Sequence, residues 1–332
     1  MRALGYTKAH LIDQFNIQEI EIEKPQIKET DLLVQIKAIS VNPVDTKIRQ
    51  RKSSDDSTPI ILGWDASGII LEVGADVVDF KIGDEVYYAG ELNRAGSNAE
   101  LQAVDQRLVA KKPKNISFTQ AAAMPLTSVT AWEALIENKS LELHSRPTIL
   151  IIGGAGGVGS MAIQILKAKS NAIVIATASR VDTINWCKEL GADFVINHTN
   201  DLKTELEKIN IKEVDAVFST THTSDYLPKL NEIIRPFGNF ILIDDPQDLN
   251  ISHFKQKSIK TTWEFMFSKS LFNYHPEEQG RVLSEIALLV ESGKIKSTLK
   301  QTLEGLTTAN LKKAHETLES SKSFGKIVLN VN

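Results

Sequence analysis

A glycine-rich turn between a strand and a helix limits what this chain can fold into more than any other feature. Residues 148–167 read TILIIGGAGGVGSMAIQILK, so an apolar run ends in glycines and a helical pattern follows. Glycines let a backbone approach a pyrophosphate closely, and the N–H groups that open the following helix then bind it. The alternative is a tight turn that binds nothing. The residues predicted to hold the phosphates are Gly154, Ala155, Gly156, Gly157, Val158 and Gly159.

The sequence pattern around this turn is that of an α/β domain. Short apolar runs recur at 149–152, 173–177, 194–196, 215–218 and 240–243, and helical patterns separate them. Gly191 is placed to end the helix that follows the second run. Strands that alternate with helices predict βαβ units and a doubly wound parallel sheet.

The two ends of the chain differ from this middle part. The first 120 residues are β-rich, with apolar or alternating runs at 32–41, 61–74 and 84–90, and a polar loop is predicted at 49–58. The final 60 residues predict helices at 281–294 and 312–322 and a closing strand at 326–331.

The end of the second strand of the α/β part indicates which dinucleotide binds. An NAD site usually carries an acidic residue there to hold the ribose hydroxyls. Here Ser179 and Arg180 occupy this place, and residues 172–181 contain no acid. An arginine pairs with the 2′-phosphate of NADPH, whereas a carboxylate repels it, so NADPH is expected. The alternative is that Arg180 is an exposed residue at a helix start, and Asp182 lies close by in the sequence.

Composition excludes several other classes of protein. The 332 residues carry a net charge of −4, which gives no reason to expect nucleic acid or an anionic membrane as a partner. No apolar run approaches the roughly 20 residues that span a bilayer, and no secretory signal opens the chain. Cys187 is the single cysteine, which rules out an internal disulfide or a cysteine-rich metal site. A cytoplasmic enzyme fits these observations.

Several motifs together resemble the medium-chain dehydrogenase/reductase superfamily, of the zinc-free quinone oxidoreductase type. The similarity covers nearly the whole chain, and members described as zinc-type alcohol dehydrogenase-like look closest. The matching pieces are SVNPVD (40–45), GWDASG (63–68), GDEVY (83–87), GSNAE (96–100), AAAMPLTSVTAWEAL (121–135), IIGGAGGVG (151–159), LGADFVIN (190–197) and GKIVL (325–329).

This resemblance implies a fold and an assembly. It implies a GroES-like, β-rich catalytic domain made from residues 1–125 and 268–332. A Rossmann domain that binds NADP is implied at 126–267, with the active site in the cleft between the two domains. Family members are commonly dimers, so a homodimer is expected.

The zinc enzymes of the superfamily bind their catalytic metal at positions that differ in this chain. They have a cysteine where Asn42 begins the segment Asn42-Pro43-Val44-Asp45, and a His-Glu pair where Trp64-Asp65 stands. The seven histidines are scattered without metal-ligand spacing. We therefore expect no zinc.

Without zinc, a saturated alcohol or an ordinary ketone is a poor partner for hydride transfer. A quinone or an α,β-unsaturated carbonyl gives a delocalised anion that two or three hydrogen-bond donors stabilise. The candidate catalytic residues are Asn42, Lys47 and Tyr87. Asn42-Pro43-Val44-Asp45 also has the pattern of a helix start, and Lys47 is equally a candidate for an ordinary surface lysine.

The resemblance places further residues beside the cofactor. It places Asn42 and Thr127 near the nicotinamide, and His198 where relatives carry a tyrosine near the adenosine phosphate. Thr221 and Ile243 follow the fourth and fifth strands, at the edge where open α/β sheets bind ligands. Asp244 and Asp245 either bind cations or cap a turn, Thr127 is also a candidate helix cap, and Trp64 either lines the substrate pocket or belongs to the core.

Three functions remain open. The first is an NADPH-dependent quinone or enone reductase. A close variant reduces enoyl thioesters such as enoyl-CoA, and the basic run at 49–52 is its candidate phosphate site. The second is a non-catalytic NADPH-binding protein, and the third is a zinc alcohol dehydrogenase.

Overall fold

The structure, a computed structural model, describes residues 1–331 and divides into two compact units. The first unit contains Met1–Leu126 together with the chain from Phe267 onward, and the second contains Thr127–Met266. No helix within residues 1–331 is long and apolar enough to cross a membrane.

The first part of the chain is rich in strands. Its elements are β1 (Arg2–Tyr6), β2 (Gln18–Glu21), β3 (Asp31–Ser40), α1 (Pro43–Arg51), β4 (Ile60–Ile61), β5 (Asp65–Val73), β6 (Glu85–Ala89), β7 (Leu101–Asp105), β8 (Val109–Lys111) and α2 (Phe118–Ala122). Short 3-10 helices cover Ile12–Gln14 and Gln106–Leu108.

The middle part alternates strands with helices, as the sequence predicts. Its elements are α3 (Pro125–Leu135), β9 (Thr148–Ile152), α4 (Gly157–Lys169), β10 (Ile173–Thr177), α5 (Val181–Glu189), β11 (Phe194–Ile196), α6 (Leu202–Lys208), β12 (Val214–Ser219), α7 (Thr223–Ile233), β13 (Ile234–Leu242) and β14 (Lys260–Trp263). Short 3-10 helices cover Leu143–Ser145 and Ile251–Lys257.

The last part returns the chain to the first unit. Its elements are α8 (Ser268–Leu271), α9 (Glu277–Glu291), β15 (Leu299–Glu304), α10 (Thr308–Glu319) and β16 (Lys326–Asn330).

The second unit is built on one parallel sheet. Its strand order is β11-β10-β9-β12-β13-β14, with every pair parallel. This is the doubly wound order in which the chain runs outward from a central strand in both directions, and it confirms the predicted Rossmann fold. Leu150, Val217 and Phe240, from three neighbouring strands, join one buried core with Leu206 and Leu230. The inner strands β9 and β10 are nearly continuous apolar runs, because both faces of a parallel sheet are covered.

The first unit joins the two ends of the chain in one sheet. Its larger sheet has the order β15-β16-β3-β5-β6-β8, with β7 also paired to β3. The C-terminal strand β16 runs antiparallel to β3, with Val328 opposite Ser40. This pairing brings Lys326, at the start of β16, close to the residues that follow β3.

One local expectation for the first unit was wrong, and one predicted run is divided. The apolar run at 61–74 is cut at Gly63, which has φ +104° and where a Cβ would lie 2.5 Å from Ser97 Oγ. The polar loop predicted at 49–58 begins too early, since α1 extends to Arg51. The Arg49 guanidinium is fully buried, where it bonds Glu319 Oε1 at 2.5 Å.

Candidate functional site

The glycine-rich turn joins β9 to α4 in the second unit. Gly153 has φ +79°, and a Cβ at Gly159 would lie 2.3 Å from the Gly153 main-chain oxygen. A Cβ at Gly154 would lie 2.6 Å from Ala176 Cβ on the neighbouring strand. The turn therefore needs glycine for close packing of strand, turn and helix, which is the packing that the phosphate-binding motif requires.

The helix that follows this turn has an N-terminus without a side-chain cap. Gly156 is its N-cap and supplies no side-chain hydrogen bond, and the first turn of α4 contains no acidic residue. Gly156, Gly157 and Val158 are half-exposed, while Ala155 is buried. The first N–H groups of a helix have no intrahelical partner and carry partial positive charge. This end of α4 therefore fits the pyrophosphate of a dinucleotide.

Arg180 stands at the end of the neighbouring strand β10. Thr177, the last residue of β10, accepts the Gly153 N–H on its hydroxyl at 3.0 Å, which ties this strand end to the glycine turn. Arg180 precedes α5, its side chain is 42% exposed, and its Nε lies 3.6 Å from Asp182 Oδ1. Ser179 is half-exposed beside it. The pair therefore stands at the carboxyl edge of the sheet, as its position in the sequence predicts.

The other residues predicted to contact the cofactor lie after three further strands of the sheet and in α3. Thr221 donates or accepts a hydrogen bond of 2.7 Å with His222 Nδ1, and its methyl group would lie 2.9 Å from a Cβ at Gly153. The Ile243 N–H already donates to Ser219 O at 3.3 Å. His198 is half-buried two residues beyond β11, and Thr127 is buried in the first turn of α3.

Asp244 caps a helix. Its Oδ2 accepts the Thr223 N–H at 2.9 Å and its Oδ1 accepts the Thr223 hydroxyl at 2.5 Å. The carboxylate therefore neutralises the N-terminus of α7, while that of α4 has no side-chain cap. Of the two roles left open for Asp244, the structure shows the cap.

A buried polar cluster follows β3 in the first unit. Asp65 accepts the Leu126 N–H on Oδ1 at 2.7 Å. Its Oδ2 accepts Asn42 Nδ2 at 2.8 Å and Lys326 Nζ at 2.9 Å. Lys326 Nζ also donates to Val41 O at 3.1 Å and to Asn42 Oδ1. The ammonium, the amide and the carboxylate are all buried, so each satisfies the others away from water.

This cluster changes the role of Asn42. Its two amide protons are donated to Asp65 Oδ2 and, at 3.3 Å, to Ser40 O. In this arrangement the amide donates inside the protein, and it has no proton left for a substrate oxygen. Lys326 was not predicted as a site residue, and its one sequence signal is its place in the matching motif GKIVL.

Asp45 closes the start of α1. Its Oδ2 accepts the Asn42 N–H at 2.7 Å. This is the hydrogen bond expected when an aspartate stands at the third position of a helix whose N-cap is Asn42. Burial raises the pKa of Asp45 to about 7, against the lowering effects of the Asn42 N–H and the Lys326 charge. The predicted N-terminus with Pro43 in the first turn is present.

The two other catalytic candidates lie in different surroundings. Tyr87 is fully buried, and its hydroxyl donates to Leu283 O at 2.6 Å. Desolvation raises the pKa of Tyr87, so this hydroxyl is a poor proton donor to a substrate. Lys47 is half-buried on α1. Trp64 belongs to the core, where Nε1 donates to Glu91 O at 3.1 Å and the ring meets Phe267 edge to face.

Comparison with known proteins identifies the family. The alcohol dehydrogenase GroES-like domain matches residues 28–114, and a zinc-binding dehydrogenase domain matches residues 190–329. A zinc-type alcohol dehydrogenase-like protein of Staphylococcus aureus is 40% identical over 341 aligned residues, which cover 100% of both chains. The chain belongs to the medium-chain dehydrogenase/reductase superfamily. It is an oxidoreductase of that type, and the predicted family and fold are confirmed.

Members with named activities and solved structures are also similar to it. The NADPH-dependent alkenal/one oxidoreductase of Arabidopsis thaliana is 32% identical and aligns with 99% of this chain and 79% of its own. The quinone oxidoreductase of Escherichia coli, solved with NADPH, is 27% identical with a TM-score of 0.84, and the match covers 99% of this chain and 100% of that one.

The family descriptions mention zinc, but the donor set in this chain does not fit it. Asn42 and Asp65, at the positions of the family's metal ligands, bond each other and an ammonium. Cys187 is buried, and burial raises the pKa of its thiol to about 12. Within residues 1–331, no group of three or more His, Cys, Asp or Glu side chains is placed to hold a metal ion.

Proposed function

We propose that this protein transfers a hydride from NADPH to a quinone or an α,β-unsaturated carbonyl compound without zinc. The observation that carries the proposal is the arginine at the end of β10, tied through Thr177 to the same edge as the uncapped N-terminus of α4. When bound, NADPH supplies the hydride. The residues of the second unit proposed to hold it are the glycine turn, Ser179, Arg180, His198, Thr221, Ile243 and Thr127.

The choice of NADPH over NADH follows from charge. A charge-assisted hydrogen bond to the 2′-phosphate is worth about 1.5–3 kcal/mol, which corresponds to roughly a ten- to hundredfold preference. A carboxylate in this place would instead favour the free hydroxyl of NADH. The Arabidopsis relative, named as NADPH-dependent, supports the same assignment.

The acceptor class follows from the groups available to stabilise a developing negative charge. The buried carboxylate of Asp65 is paired with the Lys326 ammonium, and the Asn42 amide donates to the same carboxylate. The anion formed by hydride addition to a conjugated acceptor is delocalised, so it requires less stabilisation by the protein. Support comes from similar proteins named as an alkenal/one oxidoreductase, a 2-methylene-furan-3-one reductase of Solanum lycopersicum, and a quinone oxidoreductase.

The proposed proton donor or oxyanion partner is Lys47. Lys47 lies half-buried on α1, two residues after Asp45, and a lysine ammonium can donate to a developing oxyanion. A well-placed donor contributes about 3 kcal/mol to transition-state stability. The variant Lys47→Met should therefore lower kcat about a hundredfold, and an unchanged kcat removes Lys47 from the mechanism.

The test of the proposed function is steady-state oxidation of NADPH, and of NADH in parallel, by metal-stripped protein. The acceptors are an ortho-quinone, a para-quinone, a short enal and an enoyl-CoA. Turnover of the quinones or the enal with NADPH supports the proposal. Turnover of enoyl-CoA alone favours a thioester reductase, and tight NADPH binding without any turnover favours a non-catalytic role. Activity that returns only with zinc contradicts it.

Homodimer formation is part of the same proposal. The strand β14 lies at the edge of the six-stranded sheet, and the Trp263 side chain on it is 52% exposed. An exposed edge strand with a large apolar side chain is suited to pairing with a second copy of the chain. Sedimentation velocity decides between a dimer and a monomer.

A further inference from the structure

A buried tryptophan and a buried serine connect helix α5 to the glycine turn of the second unit. Trp186, on α5, is 5% exposed, and its Nε1–H donates to Ser160 Oγ at 2.9 Å. Ser160, on α4, has no exposed surface, and its hydroxyl donates to Ala155 O at 3.2 Å. An indole nitrogen is only a donor, so the serine oxygen accepts from it and the single hydroxyl proton goes to the carbonyl.

The carbonyl that Ser160 bonds is not the usual one for a serine in a helix. Such a hydroxyl normally bonds a carbonyl three or four residues earlier, whereas Ala155 is five residues earlier and belongs to the turn. The carbonyl four residues earlier, Gly156 O, accepts the Ser160 N–H at 2.8 Å. The indole N–H takes up one lone-pair direction of the serine oxygen, which limits the directions left to the hydroxyl proton.

The bond to Ala155 O orients a whole peptide group of the turn. The Ala155 oxygen and the Gly156 N–H belong to one plane, so a bond to either group orients both. The Gly156 N–H donates to Gly153 O at 3.0 Å, and the Ala155 oxygen lies on the buried side with Ser160. Gly156 is half-exposed and has no Cβ, so rotation of this peptide meets little steric resistance. A rotated peptide would turn its carbonyl oxygen outward, where it would repel a pyrophosphate.

The next residue of α5 also contacts the turn. Cys187 Sγ lies 3.3 Å from the place of a Cβ at Gly154, so two consecutive side chains of this helix support the turn. We propose that Trp186 and Ser160 are positioning residues that hold the Ala155 carbonyl away from the pyrophosphate of the cofactor. This inference rests on the proposed function, because it requires a dinucleotide at the turn.

The test compares three ligands by isothermal titration calorimetry. These are NADPH, NADH and 2′-AMP, which carries the adenosine 2′-phosphate but no pyrophosphate. Trp186→Phe removes the indole N–H and keeps an aromatic ring, and Ser160→Ala removes only the hydroxyl. Each variant should weaken NADPH and NADH binding by the same factor of about ten, and should leave 2′-AMP binding within about twofold. A general disturbance of the unit would weaken all three ligands.

A double variant and two controls complete the experiment. Trp186→Phe combined with Ser160→Ala should bind no more weakly than Ser160→Ala alone, because both side chains act through the same carbonyl. Ser170→Ala is the matched serine control, since its hydroxyl donates to Leu166 O at 2.7 Å at the other end of α4. Trp132→Phe is the tryptophan control, since Trp132 is 3% exposed in the same unit. Neither control should change the affinity for any of the three ligands.

The outcomes separate this inference from the proposed function. Dinucleotide affinities that stay at the wild-type value in Ser160→Ala overturn the inference and leave the proposed function standing. The same holds if 2′-AMP binding falls as much as NADPH binding, or if the two substitutions have additive effects. A wild-type protein that binds neither NADPH nor NADH overturns the proposed function and the inference with it.

Discussion

Arg180 is the residue on which we propose that cofactor choice depends most. Its guanidinium is the permanent cation among the residues that follow β10, and Asp182 is 3.6 Å away. Arg180→Ala should reduce kcat/KM for NADPH by about ten- to hundredfold and leave that for NADH within about twofold, because only NADPH carries the 2′-phosphate. Steady-state kinetics with both cofactors measure this ratio.

The control for Arg180 is Lys188→Ala, which removes an exposed cation from the same helix α5. This variant should keep the NADPH preference of the wild type. An Arg180→Ala variant that retains the full preference would show that the residue is only an exposed helix-start side chain.

Lys326 is the residue on which the buried cluster of the first unit depends. Its side chain is 4% exposed, and its ammonium lies 2.9 Å from a carboxylate with no exposed surface. Lys326→Met leaves the Asp65 charge uncompensated, which should lower the free energy of unfolding by about 3–5 kcal/mol. Denaturation in urea measures the loss.

Two further variants test whether the buried charge of Lys326 is what stabilises the protein. Lys326→Arg keeps the positive charge and should be less damaging than Lys326→Met. Lys203→Met removes a surface ion pair of 3.5 Å with Glu232 and should have little effect. Equal, small losses for Lys326→Met and Lys203→Met would disprove the stabilising role of the buried ammonium.

Local pattern predicts some single residues well and others poorly. The glycine turn could be predicted because its glycines are required by backbone packing within a few positions, and the place of Arg180 after β10 follows from the strand pattern, while its role stays a prediction. The role of Asn42 could not be predicted from the sequence. Its amide donates to Asp65 and accepts a hydrogen bond from Lys326, which is 284 residues distant. Only the pairing of β16 with β3 brings that lysine to it.

At the scale of elements, α1 and α10 share a buried cationic contact. Arg49 Nη1 lies 3.3 Å from His315 Nδ1, so that nitrogen accepts and the imidazole is neutral. Its Nε2 is buried without a hydrogen-bond partner among residues 1–331. Desolvation, with the Arg49 charge, lowers the pKa of His315 to about 3. The basic run at 49–52 is therefore partly core, which weakens it as a site for CoA phosphates.

This contact predicts loss of stability in acid. Between pH 6.5 and about 3 the unfolded chain binds a proton at His315 and the folded protein does not, so stability falls as pH falls. The slope from this one group is at most about 1.4 kcal/mol per pH unit. Urea denaturation between pH 7 and pH 4 measures it, and His315→Gln should flatten the profile.

Asp45 acts in the opposite sense over much of the same range. Its raised pKa, about 7, means that the stability it contributes in its protonated form is lost as pH rises from about 4 through 7. The quantity to compare at each pH is therefore the difference in free energy of unfolding between the wild type and His315→Gln. If this difference does not change with pH, His315 is not a neutral, buried imidazole in the folded protein.

At the scale of the whole molecule, the sequence predicts the architecture because each level of pattern agrees with the next. Alternating strands and helices predict the parallel sheet, and the observed order β11-β10-β9-β12-β13-β14 is the one expected of such a fold. The positions of Gly63 and Arg49 were not predicted, since they depend on contacts with Ser97 and Glu319 that are distant in the sequence.

We propose that the protein transfers a hydride directly from NADPH to a conjugated acceptor. The most direct measurement is one turnover of an α,β-unsaturated ketone by metal-stripped protein with NADPH deuterated at the transferring C4 position, followed by mass spectrometry and NMR of the product. We expect one deuterium, on the former β-carbon of the ketone. A reduced product without deuterium at that carbon, or a reaction that requires added zinc, would rule out direct, zinc-free hydride transfer.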